Sequence, residues 1–208
     1  MLVITWDNKY KAINHHKDNK MSQLPVQDSQ PIKLLDLSNT VVHFAEMEGM
    51  NIKLVDLCNA KLPCGNFKGA DMRGSLFIEA QIQWSVFIGA DMSDADLSMA
   101  QIEHSDLSKT KLIGANLSGA NLVGVDFTGA DLTNANMSGA LLKGANFTGA
   151  KLTSAILDGA DMDGVNLNGA DIQKISVIGV DLSKFNHTSA LNFCDLYFWH
   201  FTAETQHL

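Results

Sequence analysis

The sequence predicts an all-β solenoid, a chain that turns a corner after every fifth residue and so closes a square coil every twenty. Three observations predict it. A large apolar residue stands at every fifth position from Leu37 to Leu182, thirty positions without a failure. Two residues before it a small residue recurs, as in Ala60, Ala70, Ser75, Ala80, Ser85 and Ala90. The residue just before it is usually Asp or Asn (Asp91, Asp96, Asn116, Asn121), and the second residue after it is often Gly (Gly114, Gly119, Gly124, Gly129). Helices repeat at about 3.6 residues and strands at about 2.0, so neither produces a period of five.

Each column has a physical role. The large and the small residue face inward, the small one because it sits in a crowded corner beside the chain axis. Gly and Asx residues serve the turns, through permissive backbone angles and local side-chain hydrogen bonds. Successive coils stack at the ordinary inter-strand spacing of ~4.8 Å and pair their backbones, as in other solenoids. Sorting the large column by twenty places Phe67, Phe87, Phe127 and Phe147 on one side of the square with Met47, Leu107 and Leu167. Stacked phenyl rings are expected along that side.

The stretch GANLSGANLVGVDFTGADLTNANMSGALLKGANFTGAKL resembles the pentapeptide-repeat family, whose unit reads A-(D/N)-L-x-x. The resemblance covers roughly residues 32–182. It implies a right-handed quadrilateral β-helix, here of about eight coils, and leaves function open because the family hosts several roles.

Three segments follow. Residues 1–31 lack the repeat, carry the charged run KYKAINHHKDNK, and are expected to be partly disordered. Residues 32–184 form the β-helix. Residues 185–208 form an irregular cap, where the register falters at Phe185-Asn186-His187-Thr188 and either a last coil or a short helix closes the open end. The cap concentrates Phe193, Tyr197, Phe198, Trp199 and Phe201, which act as a hydrophobic plug or as an end-to-end homodimer contact.

Composition excludes several function classes. No apolar run approaches the ~18 residues of a membrane span. The N-terminus has no secretory h-region, and three cysteines do not make a disulfide framework, so the cytoplasm is the expected compartment. Export as a bacterial effector stays open. A net charge of −8 disfavours direct nucleic-acid binding. Catalysis is not expected, because an uninterrupted square coil offers no cleft in which polar groups converge. No metal and no cofactor are expected either: the seven histidines are scattered, and Cys58 and Cys64 lack a second pair to complete a zinc site. The glycine-rich runs lack the Lys-Ser/Thr of a phosphate loop.

One stretch breaks the polar pattern. In GSLFIEAQIQWSVFIGA, residues 74–90, the outward positions hold Leu76, Ile78, Trp84, Val86 and Ile88. An exposed apolar cluster around a Trp has the composition of an interface anchor, and these five are the candidate partner-binding residues. They are read as lying on adjacent sides of one coil. Alternatively, Leu2, Val3, Ile4 and Trp6 fold back and cover them.

The expected function is therefore a non-catalytic interaction scaffold, a rigid acidic rod that binds a protein partner. The alternative comes from the resemblance: some pentapeptide-repeat proteins imitate duplex DNA with carboxylates and protect a type II topoisomerase (DNA gyrase). Asp91, Asp94, Asp96, Glu103, Asp106, Asp126 and Asp131 suit mimicry, since complementary charge steers association. On the side holding Asp71, Asp91, Asp131 and Asp171, however, Lys111 and Lys151 interrupt the acidic ladder.

Overall fold

The computed structural model describes residues 36–181 in full, together with the backbone of residues 4–7 and 11–14. Strand β1 (Ile4–Asp7) pairs antiparallel with β2 (Lys11–Asn14), from Ile4 opposite Asn14 to Asp7 opposite Lys11. Part of the segment expected to lack the repeat thus carries a regular hairpin.

Across the described residues 36–181 the chain is a β-helix with a coil of twenty residues. Each bridge is parallel and joins residues twenty apart, from Asp36 with Asp56 to Ile156 with Ser176. No extended strand forms among residues 36–181, because two residues of every five are spent on a turn. One bridge per side is what remains. Where Asp or Asn precedes the large residue, the repeating unit can satisfy all five of its backbone donors, as residues 96–100 illustrate. Asp96 N–H donates to Ser75 C=O on the preceding coil (2.9 Å), whereas Leu97 and Met99 donate to Asn116 and Ser118 on the following coil (2.6 and 3.0 Å). Ala100 N–H closes the turn on Leu97 C=O at 3.1 Å. The fifth donor, Ser98 N–H, is satisfied by the Asp96 carboxylate at 2.9 Å. This last bond explains the Asp/Asn column: a short side-chain acceptor two residues back supplies the one bond that neighbouring coils cannot. The same bond recurs at Asp56–Cys58, Asp106–Ser108 and Asp126–Thr128, each 2.9 Å.

The turn places positive φ on the second residue after each large apolar one. Gly114 has φ 67° and Gly124 has φ 64°, but Asn59, Trp84 and Met99 adopt 56°, 60° and 59° at equivalent places. A positive φ at the third residue of the turn, closed by an i to i+3 bond, is the type II arrangement, which explains why Gly and Asn are favoured.

Inside, the apolar column from Val42 to Ile172 is buried, and so are the small residues from Ala45 to Ala170. The serines of the small column are tied off. Ser85 Oγ accepts Gly65 N–H (2.9 Å) and donates to Leu62 C=O (3.3 Å), and Ser105 Oγ accepts Ser85 N–H at 3.0 Å. On the predicted aromatic side, Phe67 stacks on Phe87 with centroids 4.6 Å apart, and Phe127 stacks on Phe147 at 4.8 Å. Among the described residues no helix is long and apolar enough to cross a membrane.

Candidate interaction surface

The four sides are named here by one coil: 76–80 the first, 81–85 the second, 86–90 the third and 91–95 the fourth. All five candidates point outward, yet they do not form one patch. Leu76 and Ile78 are half-buried on the first side, and Val86 and Ile88 are half-buried on the third. The second side, with Gln81 and Gln83, lies between them. The reading of adjacent sides is corrected: ten residues of separation are two corners of a square, which carries a side chain to the opposite face. The half-burial has a simple cause. An outward side chain on a flat side is flanked ~4.8 Å away by its equivalents on both neighbouring coils, Asp56 and Asp96 for Leu76, and Asn66 and Asp106 for Val86.

Trp84 differs. It occupies the corner between the second and third sides and is 63% exposed. Twenty residues either way on that corner stand Cys64 and His104, and forty residues back stands Phe44. Trp84 stacks on His104 with centroids 4.4 Å apart and planes at 27°. Phe44 is 50% exposed, and Cys64 is an exposed free thiol. All four hold φ between 58° and 60°. Farther along, the same corner is Gly124, Gly144 and Gly164. Phe44 was not singled out in the sequence. The signal was there: the twenty-residue register, applied to the turn column rather than the inward one, aligns it with Trp84.

The fourth side sets the local electrostatics. Asp71 is held by Arg73 through two bonds (2.8 and 2.9 Å) and by Lys53 at 3.1 Å. The hydrogen bonds from Arg73 foremost, against a smaller opposing effect of burial and aided by Lys53, hold its carboxyl at about 2. Lys111 meets Asp91 at 3.5 Å, and Lys151 meets Asp131 at 3.3 Å. The interruptions seen in the sequence are therefore ion pairs across neighbouring coils. On the first side, burial foremost and then the Asp56 carboxylate push the Cys58 thiol up to about 11. Among the described residues no three His, Cys, Asp or Glu side chains gather to hold a metal ion. Glu103 accepts Asn121 Nδ2 on one oxygen at 2.6 Å, and its other oxygen is buried without a partner among the described residues. Phe193, Tyr197, Phe198, Trp199 and Phe201 lie outside the described residues.

The family model described as "Pentapeptide repeats (8 copies)" matches residues 51–87, 75–112, 110–149 and 145–183. No curated protein matches the chain. Similar solved structures include HetL, a pentapeptide repeat protein involved in heterocyst differentiation regulation from the cyanobacterium Nostoc (22% identity, 72% of this chain and 90% of that one, TM-score 0.46). QnrB1, a plasmid-mediated fluoroquinolone resistance protein, is 14% identical over 77% of this chain and 98% of that one, with TM-score 0.46. Rfr23 from the cyanobacterium Cyanothece is 26% identical over 66% and 88%, with TM-score 0.30. With the repeat model spanning most of residues 51–183 and the twenty-residue coil bridged throughout, the chain belongs to the pentapeptide-repeat family.

Proposed function

We propose that the chain is a non-catalytic protein-interaction scaffold, a rigid, right-handed acidic rod of about eight coils whose corner at Phe44, Cys64, Trp84 and His104 contacts a protein partner. One observation carries this reading: large aromatic side chains stand exposed at turn positions of positive φ, where the same corner elsewhere uses glycine. Positive φ is unfavourable for bulky residues. Apart from the Trp84–His104 stack, an exposed ring at this corner buries little apolar surface within the fold, whereas exposed aromatics are the anchors on which interfaces are built. Capture with wild type and with Trp84→Ala tests the reading. A specific partner should be lost with the variant while the melting temperature is kept. Equal recovery by both would count against it.

The alternative, a DNA mimic that occupies a type II topoisomerase, draws on the net charge of −8. It has less support, because Lys111 and Lys151 neutralise Asp91 and Asp131 on the fourth side. Gyrase supercoiling with and without a fluoroquinolone separates the two: the scaffold reading expects neither inhibition nor rescue at micromolar protein.

A further inference from the structure

We propose that the N-terminal segment of this chain, residues 1–20 with the β1–β2 hairpin at its centre, docks within the same molecule on the first side of the β-helix, over Leu76 and Ile78. The inference goes beyond the scaffold reading, since it does not involve the corner of Phe44 and Trp84.

The first side differs from the other three in charge. Across the described coils it holds Asp36, Asp56, Glu79, Asp96 and Asp158 and not one Lys, Arg or His, whereas every other side holds at least two lysines. Its aspartates bond neutral donors. Asp36, Asp56 and Asp96 accept the N–H of Ser38, Cys58 and Ser98, each at 2.9 Å. Asp158 accepts Ser176 Oγ (2.6 Å) and Ile178 N–H (2.8 Å). Such bonds satisfy the oxygens without cancelling the charge, and no ion pair among the described residues involves a first-side carboxylate. On the corner shared with the fourth side, Asp94 and Lys174 offset one another in number. Lys61, beyond the other corner, offsets at most one of the first-side carboxylates.

Apolar surface lies among these charges, and charge and chain connection both select the occupant. Bridges place Asp36, Asp56, Leu76 and Asp96 in one rank on consecutive coils, ~4.8 Å apart. Leu76 and Ile78 are half-buried there, and Met99, on the corner toward the second side, is 55% exposed. Residues 1–20 carry Lys9, Lys11, Lys17 and Lys20 against only Asp7 and Asp18, together with the apolar Leu2, Val3, Ile4 and Trp6. An apolar, net-positive segment complements an apolar side whose charges are all negative. The described β-helix begins at Asp36, itself on the first side and two coils from Leu76. The twenty-one residues 15–35 are long enough for β2 to reach Leu76, ~9.6 Å away along the axis. The connection also keeps the effective concentration of the segment high. A two-stranded hairpin is marginal alone in water, so β1 and β2 gain a packing surface by docking. A basic partner then reaches the first side only by displacing the segment.

Carbodiimide cross-linking of the full chain, which joins an amine to a carboxylate in contact with it, tests the docking. At low ionic strength, mass spectrometry should find one of the four lysines joined to Asp36, Asp56, Glu79 or Asp96. In a mixture of isotopically light and heavy chains the links should stay within one chain. In about 1 M NaCl, where the screening length is ~3 Å, the yield should fall at least about threefold. The second arm is hydrogen exchange of the Ile4–Asp7 and Lys11–Asn14 amides in wild type and in Asp56→Asn/Asp96→Asn. This variant should keep the fold, because Asn116 and Asn136 already serve the same column and accept the N–H of Ser118 and Ser138 at 3.2 and 3.1 Å. Its hairpin amides should exchange at least about fivefold faster. Links spread over the other three sides, links mainly between chains, no links at all, or unchanged exchange in a variant that melts like wild type each overturns the docking. Partner capture through Trp84 is untouched by any of these outcomes, so the scaffold reading stands or fails separately.

Discussion

Phe67 and Phe87 lie face to face within the core, with ring planes only 6° apart. Twenty residues of chain bring the ring back to the same side one coil on, and the rise leaves it at stacking distance. Phe127 and Phe147 repeat the relationship after the interruption at Leu107. Phe127→Ala should therefore lower stability by about 3–5 kcal/mol. Phe127→Leu should cost only about 1 kcal/mol, because a branched apolar residue of similar volume already serves this column at Leu107. Phe127→Asp should open the coil locally. Thermal melts of the three variants check the order Leu, Ala, Asp, and an unchanged melt for Asp would refute the inward placement.

Gly65 and Gly69 are four residues apart and glycine for different reasons. A Cβ on Gly65 would clash with the edge of the Phe67 ring, at Cε2 and Cζ, whereas a Cβ on Gly69 meets nothing within 4 Å and the constraint there is φ +64°. Gly65→Ala is expected to cost about 1–3 kcal/mol by overpacking. Phe67→Leu should recover part of that loss and none of the loss from Gly69→Ala. Double-mutant cycles measure the difference, and a coupling near zero at both sites would show that the Phe67 ring is not the obstacle.

Most of the fold was legible in the sequence because one period encodes it. The inward column, the small column, the turns and the stacked phenylalanines all follow from counting by five and then by twenty. What escaped depended on applying that count to other positions. Leu76 and Val86 look like neighbours in the chain, but two intervening corners put them on opposite sides. Phe44 joins Trp84 only when the turn residues, rather than the core residues, are sorted by twenty. The glycine at 65 answers to one particular ring, Phe67, which periodicity cannot foresee. The one-bridge sides were also hidden, since the spacing of turns does not say how little backbone they leave to pair.

Cys58 and Cys64 should differ sharply in reactivity. Burial foremost, then the neighbouring Asp56 carboxylate, push the Cys58 thiol up to about 11, so little thiolate exists at neutral pH. Cys64 is exposed on the corner. In a Cys194→Ser background, a thiol reagent at pH 8 should modify Cys64 first, and Cys58 only slowly until denaturant is added. Mass spectrometry of the labelled peptides reads the order. Simultaneous labelling of both in the native protein would contradict the burial of Cys58.

Asp71 should make stability depend on acid in a defined window. Its ordinary value is 3.8, and Arg73 foremost, then Lys53, hold the folded-state value at about 2. A carboxyl whose value is lower in the folded than in the unfolded state binds protons less readily when folded. Its contribution is therefore complete above about pH 4 and is lost as the pH falls from there toward 2. The loss comes with the bidentate Arg73 contact, which needs the deprotonated carboxylate so that both oxygens accept a guanidinium donor. Because the Asp71 side chain is 28% exposed, salt should weaken the effect without removing it. Urea midpoints for wild type and Asp71→Asn, taken at about pH 7, 4 and 2.5, isolate this group from the other carboxylates. The wild type should be the more stable at pH 7 and 4, and the difference between the two proteins should shrink at pH 2.5. A difference that stayed constant across the three values would mean that the Lys53–Asp71–Arg73 cluster does not lower the proton affinity of the folded chain.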